Sequence, residues 1–343
     1  MKSPKLLLLL IITVGWSCTN VPKIEVHQGE RDNVINVREK VKEIVIDEVL
    51  IGGTNRVYLL DDYLIVADSR SFDRLIHLFD KKSFNYITSV GYLGQGPGEI
   101  ANMGHIATDE AHRSFYVSDH GKQRIFSYNL DSVLANPLYM PTVKMKLDAN
   151  QFPGDYTYFN DTLSIGLLIE PIGSYGFNQS LVKFNMRTRD VTRMPYVHPE
   201  IEKKRICYAA SVDRGMCVEC YSYHDLMTLS MIDGELKCNI YGPHWDNRKS
   251  NKISYFSDVS FCKNWIIASY SGGDTFSTDE SGKVKSNQPT KLMVFSLNGE
   301  YIKTLETGYQ VYNFCYDEEN NRLILSLIDE IQFAYLSLDG LID

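Results

Sequence analysis

Cysteine is the residue type in this sequence with the most obvious chemical potential. Six cysteines follow Cys18, and two of them, Cys217 and Cys220, form a CxxC motif. A redox CxxC lies at a helix N-terminus, where the helix dipole lowers the thiol pKa. The apolar run around this motif instead predicts a strand, on which residues three apart point to opposite faces. The motif therefore favours neither redox chemistry nor, without a second CxxC or a histidine pair, a zinc site.

A disulfide between Cys207 and Cys220 is a further interpretation of the same region. A turn at Asp213 and Arg214 places Cys207 and Cys220 directly opposite each other on two paired strands. A disulfide is permitted in an exported protein. The sequence leaves two alternatives open, which are this disulfide and single buried thiols.

The remaining reactive side chains form no recognised catalytic or metal motif. The eight histidines are scattered, without the spacing of a zinc protease. Asp274, Asp279 and Glu280 share one loop, but they do not alternate as the ligands of a calcium loop do. Nucleophile-elbow, P-loop and dinucleotide motifs are also missing. We predict no catalytic residues, no metal ligands and no cofactor from these patterns.

The glycine-rich stretch Gly91–Ile100 superficially resembles a phosphate-binding loop. It follows a strand, but it opens no helix, and Pro97 would break one. Glycines favour positive φ, and proline fixes φ where a chain turns. We therefore predict a rigid connector between two repeated units, with a structural turn at Gly94, Gly96, Pro97, Gly98 and Glu99. Glu99 is expected to hydrogen-bond the backbone amides of its own turn.

Composition restricts the class of protein. The formal net charge is −8, which argues against binding to nucleic acid, because that requires a basic stripe. Tyr and Phe are abundant (22 and 15 residues), as half-buried strands prefer. The chain is expected to be a β-rich globular protein, and we expect a monomer.

The N-terminus carries the features of an export signal. Lys2 and Lys5 precede an apolar core from Leu6 to Val14, which is too short to span a bilayer as a helix. The following Gly15-Trp16-Ser17-Cys18 resembles the lipobox of bacterial lipoproteins, although Gly15 and Trp16 depart from the usual pattern. The resemblance implies acylation of Cys18, and we predict a signal peptide over 1–17 and a flexible tether over 18–40. An ordinary signal peptide cleaved nearby is the alternative.

Short strands recur along the rest of the chain. Asn298-Gly299 and Asp233-Gly234 each separate two apolar runs, which predicts hairpins. A further strand precedes each hairpin, and these strands begin at Tyr63, Phe115, Leu163, Met216, Trp265 and Leu323. The spacing is about fifty residues, as in propeller repeats. We predict an all-β, six-bladed β-propeller over 41–343, with these strands innermost; a β-sandwich is the alternative.

The chain ends suggest how the ring closes. The last repeat stops after Phe333–Leu338 without an outer strand, whereas residues 43–50 form an apolar run that belongs to no repeat. Pairing of residues 43–50 with the last blade would leave no unpaired sheet edge at the junction. We predict that the N-terminal strand closes the sixth blade.

A family resemblance supports this architecture. Val90-Gly91 followed by Gly94-Gln95-Gly96-Pro97-Gly98-Glu99 resembles the turn that links the first two blades of six-bladed, TolB-like β-propeller lipoproteins of Gram-negative bacteria, which share features with NHL-type propellers. Val117-Ser118-Asp119 with Arg124–Tyr128 is similar to the next blade of that family. The resemblance implies a propeller and a lipid anchor in the cell envelope, on the outer membrane; it implies no reaction.

Propellers bind ligands where the blade-joining loops converge on the axis. Polar residues directly after the predicted inner strands are the candidates there, namely Asp68, Arg70, Asp119, His120 and Arg124. The equivalent positions of Asp68 and Asp119 also fit a structural hydrogen bond to a neighbouring loop. We expect a membrane-anchored binding module for a protein or glycan partner. The alternative is an anchored hydrolase or lyase with a calcium-like metal in the central channel.

Overall fold

The computed structural model describes residues 24–147, 152–172, 176–248, 250–279 and 281–342. Within them the chain is a six-bladed β-propeller with almost no helix, as predicted. The predicted signal peptide and Cys18 lie outside the described residues. No helix in the described part of the chain is long and apolar enough to cross a membrane.

The described part of the chain begins with short elements on the outer rim of the propeller. They are β1 (Glu25–His27), β2 (Val34–Asn36), a 3-10 turn (Arg38–Lys40) and β3 (Val41–Glu43).

Each of the first five blades consists of four antiparallel strands in chain order, and blade 6 contributes three. Blade 1 comprises β4 (Asn55–Leu60), β5 (Tyr63–Asp68), β6 (Arg74–Asp80) and β7 (Tyr86–Tyr92). Blade 2 comprises β8 (Met103–Asp109), β9 (Ser114–Asp119), β10 (Arg124–Asn129) and β11 (Thr142–Lys146), with helix α1 (Leu130–Ala135) before β11. Blade 3 comprises β12 (Phe152–Asn160), β13 (Leu163–Ile172), β14 (Gly176–Phe184) and β15 (Val191–Arg193).

The second half of the ring follows the same plan. Blade 4 comprises β16 (Ile206–Ser211), β17 (Met216–Tyr221), β18 (Leu226–Met231) and β19 (Leu236–Tyr241). Blade 5 comprises β20 (Ile253–Cys262), β21 (Trp265–Asp274), β24 (Lys291–Ser296) and β25 (Tyr301–Glu306), and a separate hairpin, β22 (Phe276–Thr278) with β23 (Val284–Ser286), is inserted after β21. Blade 6 comprises β26 (Val311–Asp317), β27 (Arg322–Leu327) and β28 (Phe333–Ser337).

The innermost strand of every blade is its first strand. Strands β4, β8, β12, β16, β20 and β26 pack on one another around the axis. The runs that the sequence placed innermost are the second strands instead, β5, β9, β13, β17, β21 and β27. The second strands are apolar on both faces because they lie inside a sheet covered by two neighbours, whereas the first strands are more polar because they border the axial channel.

The hydrophobic core is divided into six layers, one between each pair of neighbouring blades. The layer between blades 2 and 3 is typical: Tyr116 and Ile125 of blade 2 pack against Tyr156 and Phe184 of blade 3. No blade has a core of its own, so each sheet is stable only between its neighbours.

The two glycine hairpins are built differently from the predicted turn. Gly299 has φ +82° and Gly234 has φ +96°, but the residues before them are not in the left-handed region. In each hairpin the paired register shifts just before the turn. This is a longer turn with a glycine bulge, in which only the glycine needs positive φ.

Blade 6 is closed by the N-terminal strand, as predicted, but the pairing residues differ. Strand β3 pairs antiparallel with β28, with Val41 opposite Leu336 and Glu43 opposite Ala334. The predicted run 43–50 overlaps the strand only at Glu43; Ile44 and Ile46 instead pack between blades 6 and 1. The apolar pattern thus marks a crossing segment that buries Ile44 and partly buries Ile46 between the two blades. The outer strand before it needs no apolar alternation, because one edge faces solvent.

Residues 24–40 are part of the propeller, so the predicted tether over 18–40 is wrong for its described portion. Strand β1 pairs in parallel with β19, the outer strand of blade 4, and β2 pairs in parallel with β25, the outer strand of blade 5. We refer to residues 24–43 as the belt. Backbone hydrogen bonding to two open sheet edges orders a segment whose side chains are mostly polar.

A buried ion pair fixes the belt between its two strands. Arg31 Nη1 donates to Asp225 Oδ1 at 2.7 Å, and the two side chains are 4% and 0% exposed. Gln28 Oε1 accepts two further hydrogen bonds from the Arg31 guanidinium, which also faces the rings of Tyr270 and Phe295. The negative charge of the Asp225 carboxylate is thereby balanced inside the protein by the Arg31 guanidinium.

We expect Arg31→Met to lower the free energy of unfolding by about 3–5 kcal/mol, because it leaves the Asp225 carboxylate buried without its cation. Urea denaturation followed by tryptophan fluorescence measures the change. Arg193→Met is the matched control; its pair with Glu170 is half-exposed, so the loss should be about 0–1 kcal/mol. Equal losses in the two variants would contradict the role assigned to the belt.

Candidate functional site

One open cavity at the axis is lined by residues from all six innermost strands. We call it the mouth; it has a volume of about 360 Å³ and lies on the face where the innermost strands begin. Its lining is mostly polar and includes Arg56, His105, Asp155, Gln179, Tyr208, Ser257, Asp258, Tyr312 and Asn313. A second cavity of about 440 Å³ lies below it toward the opposite face. Both volumes are within the range of small-molecule sites, roughly 300–1,000 Å³.

A set of polar side chains separates the two cavities. These side chains, which we call the septum, line both cavities and are Arg56, His105, Asp155, Tyr208, Asp258 and Asn313. They come from all six blades, one from each. The channel is therefore interrupted at mid-depth by hydrogen-bonded groups from the whole ring.

Asp155 is the centre of one half of the septum. Arg56 Nη1 of blade 1 donates to Asp155 Oδ2 of blade 3 at 3.1 Å, which joins two blades that are not neighbours. His105 Nδ1 of blade 2 lies 3.0 Å from Asp155 Oδ1. Both carboxylate oxygens are thus occupied. Burial acts to raise the pKa of Asp155, but His105 and Arg56 together hold it well below its usual range.

Asp258 is the centre of the other half. Its Oδ2 accepts hydrogen bonds from Asn313 Nδ2 at 2.8 Å and from the Phe314 amide at 3.0 Å. Its Oδ1 accepts from the Val259 amide at 2.9 Å. Burial raises the pKa of Asp258 to about 6, partly offset by the Phe314 amide and by Arg56. Asp155 and Asp258 therefore titrate far apart, because the Arg56 guanidinium and the His105 ring contact only Asp155 of the two.

Two blades rise above the mouth. In blade 5, β20 and β21 extend beyond the mouth residue Asp258, and the inserted hairpin β22–β23 continues from β21. In blade 3, β13 and β14 extend beyond the mouth residues Leu167 and Gln179. The mouth is thus bounded by walls of unequal height.

The residues proposed from sequence for axial binding lie outside the mouth. Asp119 is fully buried, and its carboxylate accepts hydrogen bonds from the amides of Ala101, Asn102, Gly121 and Lys122. Asp68 is also buried and accepts from the amide of Gly52 at 2.7 Å. Each carboxylate holds the connector that enters its own blade, which is the structural alternative considered for this pair.

The other three candidates do not line the mouth either. Arg70 and Asp68 line a groove on blade 1 between the segment 48–52 and the outer strand β7. The ring of His120 lies against Gly104, and the Arg124 guanidinium faces Phe126 on blade 2. Among the residues that follow the second strands in blades 1 and 2, Ser69 is the one that lines the mouth.

The connector Gly91–Ile100 joins β7 of blade 1 to β8 of blade 2, as predicted. Gly91 and Gly98 have φ of +75° and +72°, which require glycine. Glu99 Oε2 accepts from the Gly96 amide at 2.6 Å, which confirms the expected bond within the turn. Lys122 Nζ donates to the carbonyls of Gly96 and Glu99, each at 2.7 Å. These polar groups of the connector are therefore engaged in hydrogen bonds that stabilise the turn.

Cys207 and Cys220 are opposed on paired strands, so the predicted register is correct. The structure nevertheless has both as free thiols, and the Cys207 thiol donates weakly to the Cys220 carbonyl at 3.7 Å. The other four described cysteines, Cys217, Cys238, Cys262 and Cys315, are free as well. Burial raises the pKa of Cys207, which opposes thiolate chemistry at the mouth.

The septum residues were not found from the sequence. They lie on the first strands, which the repeat spacing placed outside the inner layer. The spacing along the chain nevertheless contained a signal. Each septum residue precedes a strongly apolar second strand by a similar interval. That interval identifies axial positions only once the innermost strand of the blade is known.

The metal hypothesis required carboxylates from several blades to converge in the channel. In the described part of the chain, no group of three or more Asp, Glu, His or Cys side chains is arranged to hold a metal ion. Asp155 and Asp258 converge from two blades, but each is already bonded to protein donors. The arrangement of these two carboxylates is therefore that of hydrogen-bond acceptors within the wall.

Comparison with known proteins agrees with the fold. Residues 45–166 match the family model DUF5128, described as a 6-bladed beta-propeller. No curated protein matches the sequence. The match covers blades 1 and 2 and the beginning of blade 3. This range includes the connector Gly91–Ile100 and the buried Asp68 and Asp119.

Solved structures extend the likeness to the whole ring. A DUF4221 protein from Bacteroides vulgatus is 12% identical with a TM-score of 0.58, over 89% of this chain and 98% of that one. A luciferin-regenerating enzyme is 11% identical with a TM-score of 0.55, over 86% and 93% of the two chains. The propeller domain of Cps50 (Swd1) from Myceliophteria thermophila is 9% identical with a TM-score of 0.52, over 85% and 98%. At these identities the likeness shows the fold alone.

The raised pKa of Asp258 predicts a pH-dependent stability. Between about pH 4 and pH 6 the native state binds a proton at Asp258 that the unfolded chain has released, so this group's contribution to the free energy of unfolding falls as the pH rises. Asp258→Asn removes that proton. The stability of the variant relative to wild type should therefore rise across this window, as measured by urea denaturation at several pH values.

Asp47→Asn is the control for this experiment. It removes one carboxylate from the exposed segment between blades 6 and 1, outside the channel, so it matches the change in net charge. A difference between wild type and Asp258→Asn that stays constant from pH 4 to pH 6 would contradict the assignment.

Proposed function

We propose that this protein is a membrane-anchored binding module of the cell envelope that takes the end of a glycan into the mouth. The observation that carries the proposal is the convergence of polar side chains from all six blades on one open cavity at the axis. We propose that it acts as a monomer, because one ring supplies every wall of that site.

The chemistry of the lining favours a glycan over a protein partner. Interfaces between proteins are centred on buried aromatic and aliphatic anchors. The mouth instead presents hydroxyl, amide and charged groups with a few tyrosines, as a saccharide with many hydroxyl groups requires. Its volume admits a small number of sugar units rather than the face of a folded protein.

A blocking variant tests the site. Ser257 is exposed and lines the mouth, so Ser257→Trp should fill the cavity and lower the affinity for a bound saccharide at least tenfold. The ligand is first selected on an array of bacterial and plant glycans, and affinity is then measured by isothermal titration calorimetry on the full-length protein. Ser277→Trp, on the exposed inserted hairpin, is the control.

Two results would count against the proposed function. One is the absence of saccharide binding by the folded wild-type protein across the array. The other is a ligand whose affinity Ser257→Trp leaves unchanged, which would place binding away from the axis.

The proposed anchor is a lipid on Cys18. Cys18 lies six positions before Ile24, where the belt begins beside blade 4. Even a fully extended chain of this length spans only about 20 Å. The propeller would therefore be held close to the membrane by the rim of blade 4, without the long flexible tether expected from sequence.

Cys18→Ala should abolish acylation and move the protein from the membrane fraction to the soluble fraction. Labelling with a palmitate analogue and fractionation of the envelope measure both effects. Ser17→Ala, which retains the acceptor cysteine, is the control. Membrane association of the Cys18→Ala variant without label would show that the anchor is elsewhere.

A further inference from the structure

We propose that the mouth recognises a sugar carboxylate, as in a uronic acid, through the guanidinium of Arg56. This inference rests on the proposed function and names the class of glycan that the site takes. The protein's own hydrogen bonds decide which polar groups of the mouth remain available to a ligand.

The hydrogen-bond acceptors of the septum are already bonded to donors of the protein. Asp155 offers its two oxygens to Arg56 and His105, and Asp258 accepts three hydrogen bonds, two of them from backbone amides. The Gln179 carbonyl oxygen accepts from the Ile206 amide at 2.9 Å, and the Asn313 carbonyl oxygen accepts from the Val57 amide at 2.8 Å. A ligand rich in donors would find few acceptors left.

The donors of the mouth are in excess. Arg56 has five N–H groups in a planar fork, of which one bonds Asp155, with the Tyr58 hydroxyl beside the guanidinium. The Arg56 side chain is 48% exposed to the channel, so a ligand can reach it. Among the described residues, the Gln179 amide nitrogen and the Tyr312 hydroxyl make no hydrogen bond, and both line the mouth.

A carboxylate fits this excess of donors. Two parallel N–H···O bonds from one guanidinium match the two oxygens of a carboxylate, and such pairs are stronger than neutral hydrogen bonds. Sugar hydroxyls next to the carboxylate can then accept from Gln179 and Tyr312. A neutral sugar would offer no second charged acceptor to the N–H groups of Arg56 that Asp155 leaves unused.

The net charge of the protein opposes long-range attraction of an anion, so recognition must be local. The formal charge is −8, but surface charges are screened over about 8 Å at physiological salt. Arg56 is the one Lys or Arg among the described residues that line the mouth. The preference for acidic sugars should therefore depend on this single side chain and persist at moderate salt.

Calorimetry with matched ligands tests the inference on the full-length protein. The probes are the methyl glycosides of glucuronic and galacturonic acid, each compared with the neutral glucoside or galactoside of the same configuration. An acetylated, amidated peptide ending in Glu, compared with its Gln counterpart, provides an arm for a protein partner. Wild type should bind at least one acidic sugar ten or more times more tightly than its neutral match.

Three variants identify the residue responsible. Arg56→Gln should reduce the acid preference to less than twofold, and Arg56→Lys should retain part of it because the charge remains without the fork. Arg205→Gln is the control, since this arginine lies on the same face but stacks on Phe177 outside the mouth, and it should keep the full preference. Thermal unfolding confirms that each variant is folded.

Each outcome decides between the two proposals. Binding of neutral and acidic sugars with equal affinity, blocked by Ser257→Trp, overturns the carboxylate inference but supports the mouth as a glycan site. An acid preference that survives Arg56→Gln also overturns the inference. Arg56-dependent binding of the Glu peptide without any sugar binding shows that the carboxylate comes from a protein, and it overturns the choice of glycan.

Discussion

The structure depends on burial of each sheet between two others. Every one of the six core layers lies between neighbouring blades, so no blade can be removed without exposing two apolar faces. Closure of the ring is therefore a requirement for all six sheets at once. It is met where β3, from the beginning of the chain, pairs with β28 near the end. The belt also pairs with the outer strands of blades 4 and 5, which attaches the segment before β3 to the ring.

The axis imposes the opposite constraint. Six sheets around a centre leave a channel that the innermost strands cannot fill with apolar side chains, and polar groups there must find partners. The septum meets this need across blades: Arg56 bonds Asp155, Asp258 bonds Asn313, and the Tyr208 hydroxyl donates to the Ile165 carbonyl at 2.9 Å. These hydrogen bonds occupy acceptors of the mouth, so the groups that remain available to a ligand are mainly hydrogen-bond donors.

Polar residues that sequence reasoning treats alike have distinct roles in this fold. Asp119 and Asp155 are both aspartates near the face that carries the mouth, and each has several polar contacts. Asp119 accepts hydrogen bonds from backbone amides and fixes a connector, whereas Asp155 contacts the side chains of Arg56 and His105 and stays half-buried at the channel. The difference follows from strand position: the end of a second strand meets the incoming loop, and the beginning of a first strand meets the axis.

The sequence by itself determined the blade count, the connector between blades 1 and 2, the opposed pair Cys207 and Cys220, and closure by the N-terminus. These features follow from local patterns, such as apolar runs at a fixed interval and glycines that require positive φ. The tertiary structure alone decided which strand is innermost, which strand closes the ring, and that residues 24–40 are bound rather than free. Those outcomes depend on pairing between residues up to 295 positions apart, as between Val41 and Leu336, and no local pattern records such a contact. The septum belongs to the same class, because Arg56, His105 and Asp155 meet only when the ring brings three blades together.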